Sequence, residues 1–287
     1  MSTQREIAAA VRALVADLLP VLAPHAMLDA DSGRLVLLVD AAHADVSLDG
    51  IVAICADLPQ HTWPSRVQDW LAEKRRQVAE AVRERRELGE VETLLRVQVA
   101  PRLPAAERRR LLCTAYGELL DLVVVLDHAD GGRLSRERAE RLVLADPGGH
   151  ALANTLRIEL PAFTLAERPP AGGAPVWAVG RAGSPFATSA LLGLDRFLPG
   201  PCPYGVLLGL PRYGELLLCP VVPDQLAVAA RELAEQVGEA HRVAADRCDE
   251  RLFWWAEERL YELRFGRLTG RPKVPAPLRR LLRGRGR

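Results

Sequence analysis

Apolar residues in this chain come in short runs. The longest, such as Leu35–Val39 (LVLLV) and Val206–Leu210 (VLLGL), have the length of a β-strand. Runs of that size exclude a bilayer-spanning helix. They alternate with amphipathic stretches, and the pattern predicts strands and helices packed in layers. The 287 residues suffice for one large domain or two modest ones with a sizeable core. At 49% hydrophobic and 26% charged, the composition excludes a mostly disordered chain. Arg5, Glu6, Arg12 and Asp17 interrupt the first apolar stretch, so no secretory leader is expected.

The net charge of +1 conceals an asymmetry. Arg267, Arg271, Lys273, Arg279, Arg280, Arg283, Arg285 and Arg287 place eight positive charges and no acid in residues 265–287. Of the 38 basic residues, 30 then remain in the rest of the chain against 37 acids, a net −7. An acidic body carries a basic tail. The five cysteines (Cys55, Cys113, Cys202, Cys219 and Cys248) are odd in number, widely spaced and form no C-x-x-C pair. Free thiols in a reducing compartment are expected, which points to the cytoplasm.

Local patterning predicts an α+β fold. Residues 4–22 read as a helix, with Ile7, Ala10, Val11, Leu14, Val15, Leu18 and Leu19 recurring at threes and fours, closed by Pro20 and Pro24. Arg34–Asp40 and a second strand within Val46–Cys55 read as a hairpin linked through Ala41–Asp45. Ser65 stands at an N-cap position before a helix over 66–89, which carries a narrow apolar stripe and mixed-charge faces and stops at Gly89. Leu94–Val99 reads as a strand, 105–118 as a helix and Leu119–Leu126 as a buried strand; Ser135 caps a further helix towards Ala145. In 147–157 a helical pattern is interrupted by Pro147-Gly148-Gly149, and Pro169–Gly173 reads as a loop. Val176–Val179 is a strand, Gly180–Gly183 a tight link, and Ser184 and Pro185 the cap and first residue of a helix. Gly205–Leu210 and Glu215–Val222 form strands around Pro211–Gly214, and 223–240 a helix.

The expected organisation is an N-terminal helix, hairpin and long charged helix over 1–90, attached to a mixed β-sheet domain with helices on it over 91–264. One sheet is expected to hold 119–126, 176–179, 205–210 and 215–222. Residues 265–287 read as a flexible Pro/Arg-rich tail, extended or disordered through 266–276 because Pro272, Pro275 and Pro277 block a helix there. Pro277 opens a short helix, Leu278–Arg283, whose leucines are expected to face a partner or a membrane surface.

The order of elements resembles the YtpQ-like family of bacterial proteins. RLVLLVD, VSLDGIVAIC and WLAEKRRQVAEAV are similar to its hairpin and charged helix. LRVQVAPRLP, ELLDLVVVLDHADGGRLSRERAERL, RIELP and SPFATSALL leading to YGVLLGLPRYGELLLCPV follow its later layout. The resemblance brings no catalytic residue to a position here. It bears on residues 250–264 (ERLFWWAEERLYELR), which read as a helix with Leu252, Trp255, Ala256, Arg259 and Leu260 on one face. The family's closing hairpin implies two strands instead, turning at Glu257-Glu258. Trp254 and Trp255 would then point to opposite faces.

Chemical motifs are sparse. The six histidines are scattered without a second ligand at helical spacing, so no metal and no cofactor is expected. Asp127–Gly131 lacks the carboxylate spacing of a calcium loop and reads as a turn. Ala182 and Phe186 flank Ser184 where a nucleophile elbow needs glycines, and neither a P-loop nor G-x-G-x-x-G occurs. Cys113, on the helix expected over 105–118, has Arg108–Arg110 as neighbours that would favour a thiolate, or is simply core. One segment has physical content for binding: Val179–Pro185 (VGRAGSP), where Gly180, Arg181, Gly183 and Ser184 lead a strand into a helix N-terminus suited to an anion. The same residues also read as a plain turn with a capping serine.

Three functions follow as expectations. The first is a cytoplasmic, non-catalytic protein-interaction or scaffold protein with another protein as partner. The second is binding of nucleic acid or an anionic surface through the tail arginines and Lys273. The third is an enzyme of unrecognised mechanism centred on 179–185 or Cys113.

Overall fold

The computed structural model describes residues 4–29, 33–39, 42–128, 132–266 and 270–284. Its class is α+β. Two compact units divide the chain: Met1–Val91 with Glu137–Ala145, and Glu92–Arg136 with Asp146–Arg287.

The first unit opens with α1 (Gln4–Leu22), which buries Val11, Val15 and Leu19 at spacings of four and continues past Pro20. Three antiparallel strands follow: β1 (Met27–Asp29), β2 (Arg34–Val39) and β3 (Ala42–Ser47), with β2 in the centre. The second strand begins at Ala42, within the link expected over Ala41–Asp45, and ends at Ser47; Asp40 and Ala41 lie outside the described residues. Most of the strand expected within Val46–Cys55 is instead helix α2 (Asp49–Ala56). Ile51 and Cys55, four apart, are both fully buried, and Ser47 Oγ accepts from Asp49 N at 3.1 Å. A short apolar run has no period long enough to distinguish the two.

Helix α3 (Trp63–Leu88) begins with Pro64 in its first turn and stops at Gly89, whose φ of +68° suits glycine. Ser65 lies inside it and is no cap; its hydroxyl donates to Thr62 O at 3.0 Å. The unit is completed by a returning segment containing most of α6 (Arg136–Arg141), where Arg138 Nε donates to Glu84 Oε1 at 2.7 Å.

Where one sheet was expected, the strands of the second unit's main body divide between two, and a two-stranded ribbon follows near the C-terminus. After the turn α4 (Val91–Leu94), the smaller sheet holds β4 (Leu95–Pro101), β5 (Cys113–Tyr116), β6 (Leu120–Leu126) and β7 (Gly132–Arg133), with β6 paired to the other three. The helix expected over 105–118 is only α5 (Ala105–Arg110). Leu112 N donates to Leu134 O and Gly117 takes φ +62°, so sheet pairing and a hairpin turn claim residues 111–118. Helix α7 (Pro147–Asn154), capped by Asp146, runs on through a π-helical turn over Thr155–Glu159.

The larger sheet is antiparallel and six-stranded. It comprises β8 (Thr164–Ala171), β9 (Ala174–Gly180), β10 (Val206–Arg212), β11 (Glu215–Pro220), β12 (Arg247–Ala256) and β13 (Arg259–Glu262), in the order β13-β12-β10-β11-β9-β8. Of the loop expected at Pro169–Gly173, Pro169–Ala171 is the end of β8 and Gly172-Gly173 is the turn into β9. Strand β8 lies at the sheet edge, where prolines need no ladder N–H, and its register shifts between Arg168 and Ala171. The helix expected after Ser184-Pro185 is a 3-10 segment, Ala187–Phe197, kinked at Gly193.

Both faces of this sheet are covered. Val179, Leu208, Leu218 and Phe253 point into a cluster with the 3-10 segment's Ala190, Leu191 and Leu194. Ala178, Leu207, Leu217 and Trp254 point the other way, against Leu226, Ala230, Leu233 and Val237 of α8 (Leu226–Val243). Trp254 is 1% exposed and its Nε1 donates to Tyr204 O at 2.8 Å, whereas Trp255 is half-buried on the opposite face. Glu257 and Glu258 turn the chain at φ +50° and +58°, the two positive values of a type I′ hairpin. The helical reading of 250–264 is thereby excluded.

The C-terminal segment departs from the expected free tail. β14 (Arg264–Phe265) pairs with β15 (Pro272–Lys273), and α9 (Ala276–Gly284) seats Leu278, fully buried, in the cluster beneath α8. Leu281 and Leu282, half-buried, pack against the same cluster. An amphipathic helix gathers all three leucines on one side, which a count of apolar residues along the segment does not reveal. Leu278→Ala is expected to cost about 2–5 kcal/mol, read as a lowered Tm in thermal denaturation. An unchanged Tm would mean that α9 contributes nothing to the fold.

Candidate anion-binding basin

Strand β9 leaves the sheet at Gly180 and turns through Arg181–Ser184, with Ser184 N donating to Arg181 O at 3.1 Å and Gly183 at φ +76°. A Cβ on Gly180 would stand 2.8 Å from Gly214 O, so only glycine lets this turn approach the β10–β11 turn so closely. Gly214 N in turn donates to Asp246 Oδ2 at 2.9 Å. These loops, with the ends of β8, β10 and β11, enclose an open cavity of about 430 Å³.

Three arginines line it: Arg168 on β8, Arg181 in the turn and Arg212 at the end of β10. Each lies on a buried carboxylate. Glu215 receives Arg168 Nη2 on Oε1, and Arg212 Nε approaches Oε2 at 3.4 Å. Glu159, 1% exposed at the end of the π-helical turn, accepts from Arg96 Nε at 3.1 Å on Oε1. Its Oε2 accepts from Arg181 Nη2 and Ser184 Oγ, both at 3.1 Å. A carboxylate taken out of water is costly unless paired and hydrogen-bonded, and both acids meet that condition. The side chains of the three lining arginines remain 43–45% exposed, turned towards the cavity.

The surrounding polar groups fix this arrangement. Gln98 Nε2 donates to Pro185 O at 2.8 Å, and Ser189 Oγ donates to Val97 O at 2.6 Å. Thr155 Oγ1 accepts from Val97 N and donates to Ala151 O, both at 2.8 Å. The π-helical turn that carries Glu159 is thus tied to β4, and β4 to the segment that follows the basin turn.

The sequence-expected residues Gly180, Arg181, Gly183 and Ser184 all line this basin. Their expected basis, an α-helix N-terminus, is absent: the helix that follows is 3-10 and begins at Ala187, and Ser184 Oγ faces Glu159. Arg168, Arg212, Glu215 and Asp246 escaped sequence reasoning. They lie 30 or more residues from one another or at hairpin ends, and only sheet pairing brings them together. No local signal marked Arg168: Thr164–Pro170 is exposed throughout and shows no strand alternation.

Other candidates are placed apart from it. Cys113 lies on β5, its thiol donating to Arg108 O at 3.8 Å, while Arg108 Nε stands 3.3 Å from the buried Asp121. Burial pushes the Cys219 thiol up to about 12 and raises Cys55, Cys202 and Cys248 as well. Tyr213 is pushed up to about 12, first by burial and then by Cys248, although Arg133 donates to its hydroxyl. Asp127 stands 3.8 Å from Arg96, and residues 129–131 of the turn expected there lie outside the described residues. Arg271, Lys273, Arg279, Arg280 and Arg283 are exposed and none lines the basin; Arg267, Arg285 and Arg287 lie outside the described residues. Among the described residues, no cluster of three or more His, Cys, Asp or Glu could hold a metal, and no helix is long and apolar enough to cross a membrane. The chain finds no match among protein-family models, curated proteins or solved structures.

Arg96→Leu removes a partner of a fully desolvated carboxylate and is expected to destabilise by about 3–5 kcal/mol in denaturant unfolding. Arg181→Gln, at a half-exposed pair on the same acid, should cost under about 1 kcal/mol. Equal costs would contradict the asymmetric burial of the two arginines. The raised Cys219 and Tyr213 values have their own consequence. Folding favours the neutral forms, so this stability is complete below pH 9 and is lost as pH rises towards about 12. A Tm that stays level from pH 9 to 12 would contradict it.

Proposed function

We propose that the chain is a cytoplasmic, non-catalytic interaction protein that uses the arginine basin to recognise an anionic group on another protein. The observation that carries this reading is the pairing of Arg168, Arg181 and Arg212 with buried carboxylates. Their half-exposed guanidiniums are held at the cavity wall, an arrangement suited to planar recognition of carboxylate or phosphate oxygens. Glu159 and Glu215 are engaged by arginine, so neither stands as an uncommitted base beside the cavity. All five cysteines are free, which supports a reducing compartment. We also propose kinship with the YtpQ-like proteins, a reading supported by the hairpins β10–β11 and β12–β13.

A second reading has its own support. Arg279, Arg280 and Arg283 are exposed on α9, whose Leu278 is anchored, so they form a positioned basic surface for a polyanion.

The two readings separate in one experiment. The tagged wild-type chain and its Arg212→Gln variant are used to capture partners from native lysate, with and without nuclease. A stoichiometric protein held by the wild type and lost with Arg212→Gln is expected. Nucleic acid as the sole captured species, removed by nuclease and unaffected by Arg212→Gln, would transfer the function to α9.

A further inference from the structure

Resting on the reading of the basin as an anion-recognition site, we infer that its ligand is a phosphomonoester dianion, carried on a side chain of the partner. A carboxylate has two oxygens and one charge, and this chain itself shows what saturates it. Glu215 is satisfied by two arginines, and Glu159 by two arginines and a hydroxyl. The basin offers more than that. Three guanidiniums from three separate elements border one cavity, each with five N–H donors and each engaging its carboxylate through a single nitrogen. The turn adds Ala182 and Gly183, exposed residues of the cavity lining whose amides donate to no protein acceptor. A group with three terminal oxygens and a charge approaching −2 matches this donor set; a carboxylate leaves part of it unused.

Asp246 also lines the cavity, half-buried, with Oδ2 accepting from Gly214 N. The lining thus holds three guanidiniums against Glu215 and Asp246. Asp246 disfavours an anion at its own edge, beside Gly214, and leaves the three guanidiniums as the anion's partners. The remaining volume, most of about 430 Å³, accommodates the residues that flank a phosphorylated side chain.

The test is isothermal titration of the full-length chain with a Gly-flanked phosphoserine peptide, the same peptide with serine or aspartate in its place, and glycerol phosphate. The phosphopeptide is expected to bind at least tenfold more tightly than the aspartate peptide. Its affinity should rise by up to about tenfold from pH 5 to 7.5, as the second phosphate proton leaves near pH 6. Arg212→Gln and Arg181→Gln should each weaken it by about tenfold or more, with Arg212→Lys restoring part of the loss. Arg242→Gln, on α8 and outside the basin, should leave it unchanged. Circular dichroism melts of each variant exclude unfolding as the cause. Glycerol phosphate binding as tightly as the phosphopeptide would keep the dianion and replace the partner side chain with a free phosphoester. Equal binding of the aspartate peptide would overturn the dianion and leave anion recognition standing. Absence of heat with every anion would overturn both.

Discussion

Leu207 and Leu208 are neighbours on β10, point to opposite faces of the six-stranded sheet, and are both fully buried. That double burial governs the second unit. A sheet with one wet face needs a single covering layer, whereas this one must be covered twice. Helix α8 covers one face, and the 3-10 segment with the smaller sheet covers the other. The fit beneath α8 is close: a Cβ on Gly209 would stand 2.1 Å from Val237 Cγ2. The helix therefore sits where the sheet has no side chain, and the central strands are clamped between layers. The basin turn emerges from β9 at the margin of this clamped region, so its arginines project from rigid backbone.

Legibility in the sequence followed the same distinction. Elements with a clear period or a double-sided apolar run (α1, α3, α8, β6, β10 and β11) were readable because burial alone determines them. Segments whose form depends on a distant partner were not. Residues 111–116 carry enough apolar and long side chains to pass for a helix, and become strand because Leu120–Leu126 needs a neighbour. Thr164–Ala171 has the prolines of a loop and becomes strand because it sits at an edge. Ile51-Val52-Ala53-Ile54-Cys55 suits either state, and the pairing of β3 with β2 left it to be helix. Half of the basin was visible as Gly180, Arg181, Gly183 and Ser184. The other half required sheet order, since nothing local connects Arg168 with Arg212.

The electrostatic economy of the basin is unusual in one respect. Glu159 and Glu215 contribute little as isolated ion pairs, since a buried salt bridge roughly breaks even against an apolar pair of similar size. Their effect is orientational. A surface arginine samples many rotamers, and holding it against a buried acid removes that freedom before any ligand arrives. Arg96, nearly buried, makes the anchor at Glu159 firm from below by donating also to Thr93 O and Leu95 O. Charge near the cavity is close to balanced, so the site offers directed hydrogen bonds more than a broad positive field.

The position of Pro169 and Pro170 at the end of β8 reaches beyond local geometry. An open sheet edge is a template on which another chain can add a strand, the usual route to unwanted assembly. Here whichever of Pro169 and Pro170 faces the open edge lacks the N–H that such addition requires, and the pairing with β9 shifts register between Arg168 and Ala171. A visiting chain at this border finds no continuous ladder to extend. A strand added along β8 is interrupted at this end, and pairing is confined to the stretch that precedes Pro169.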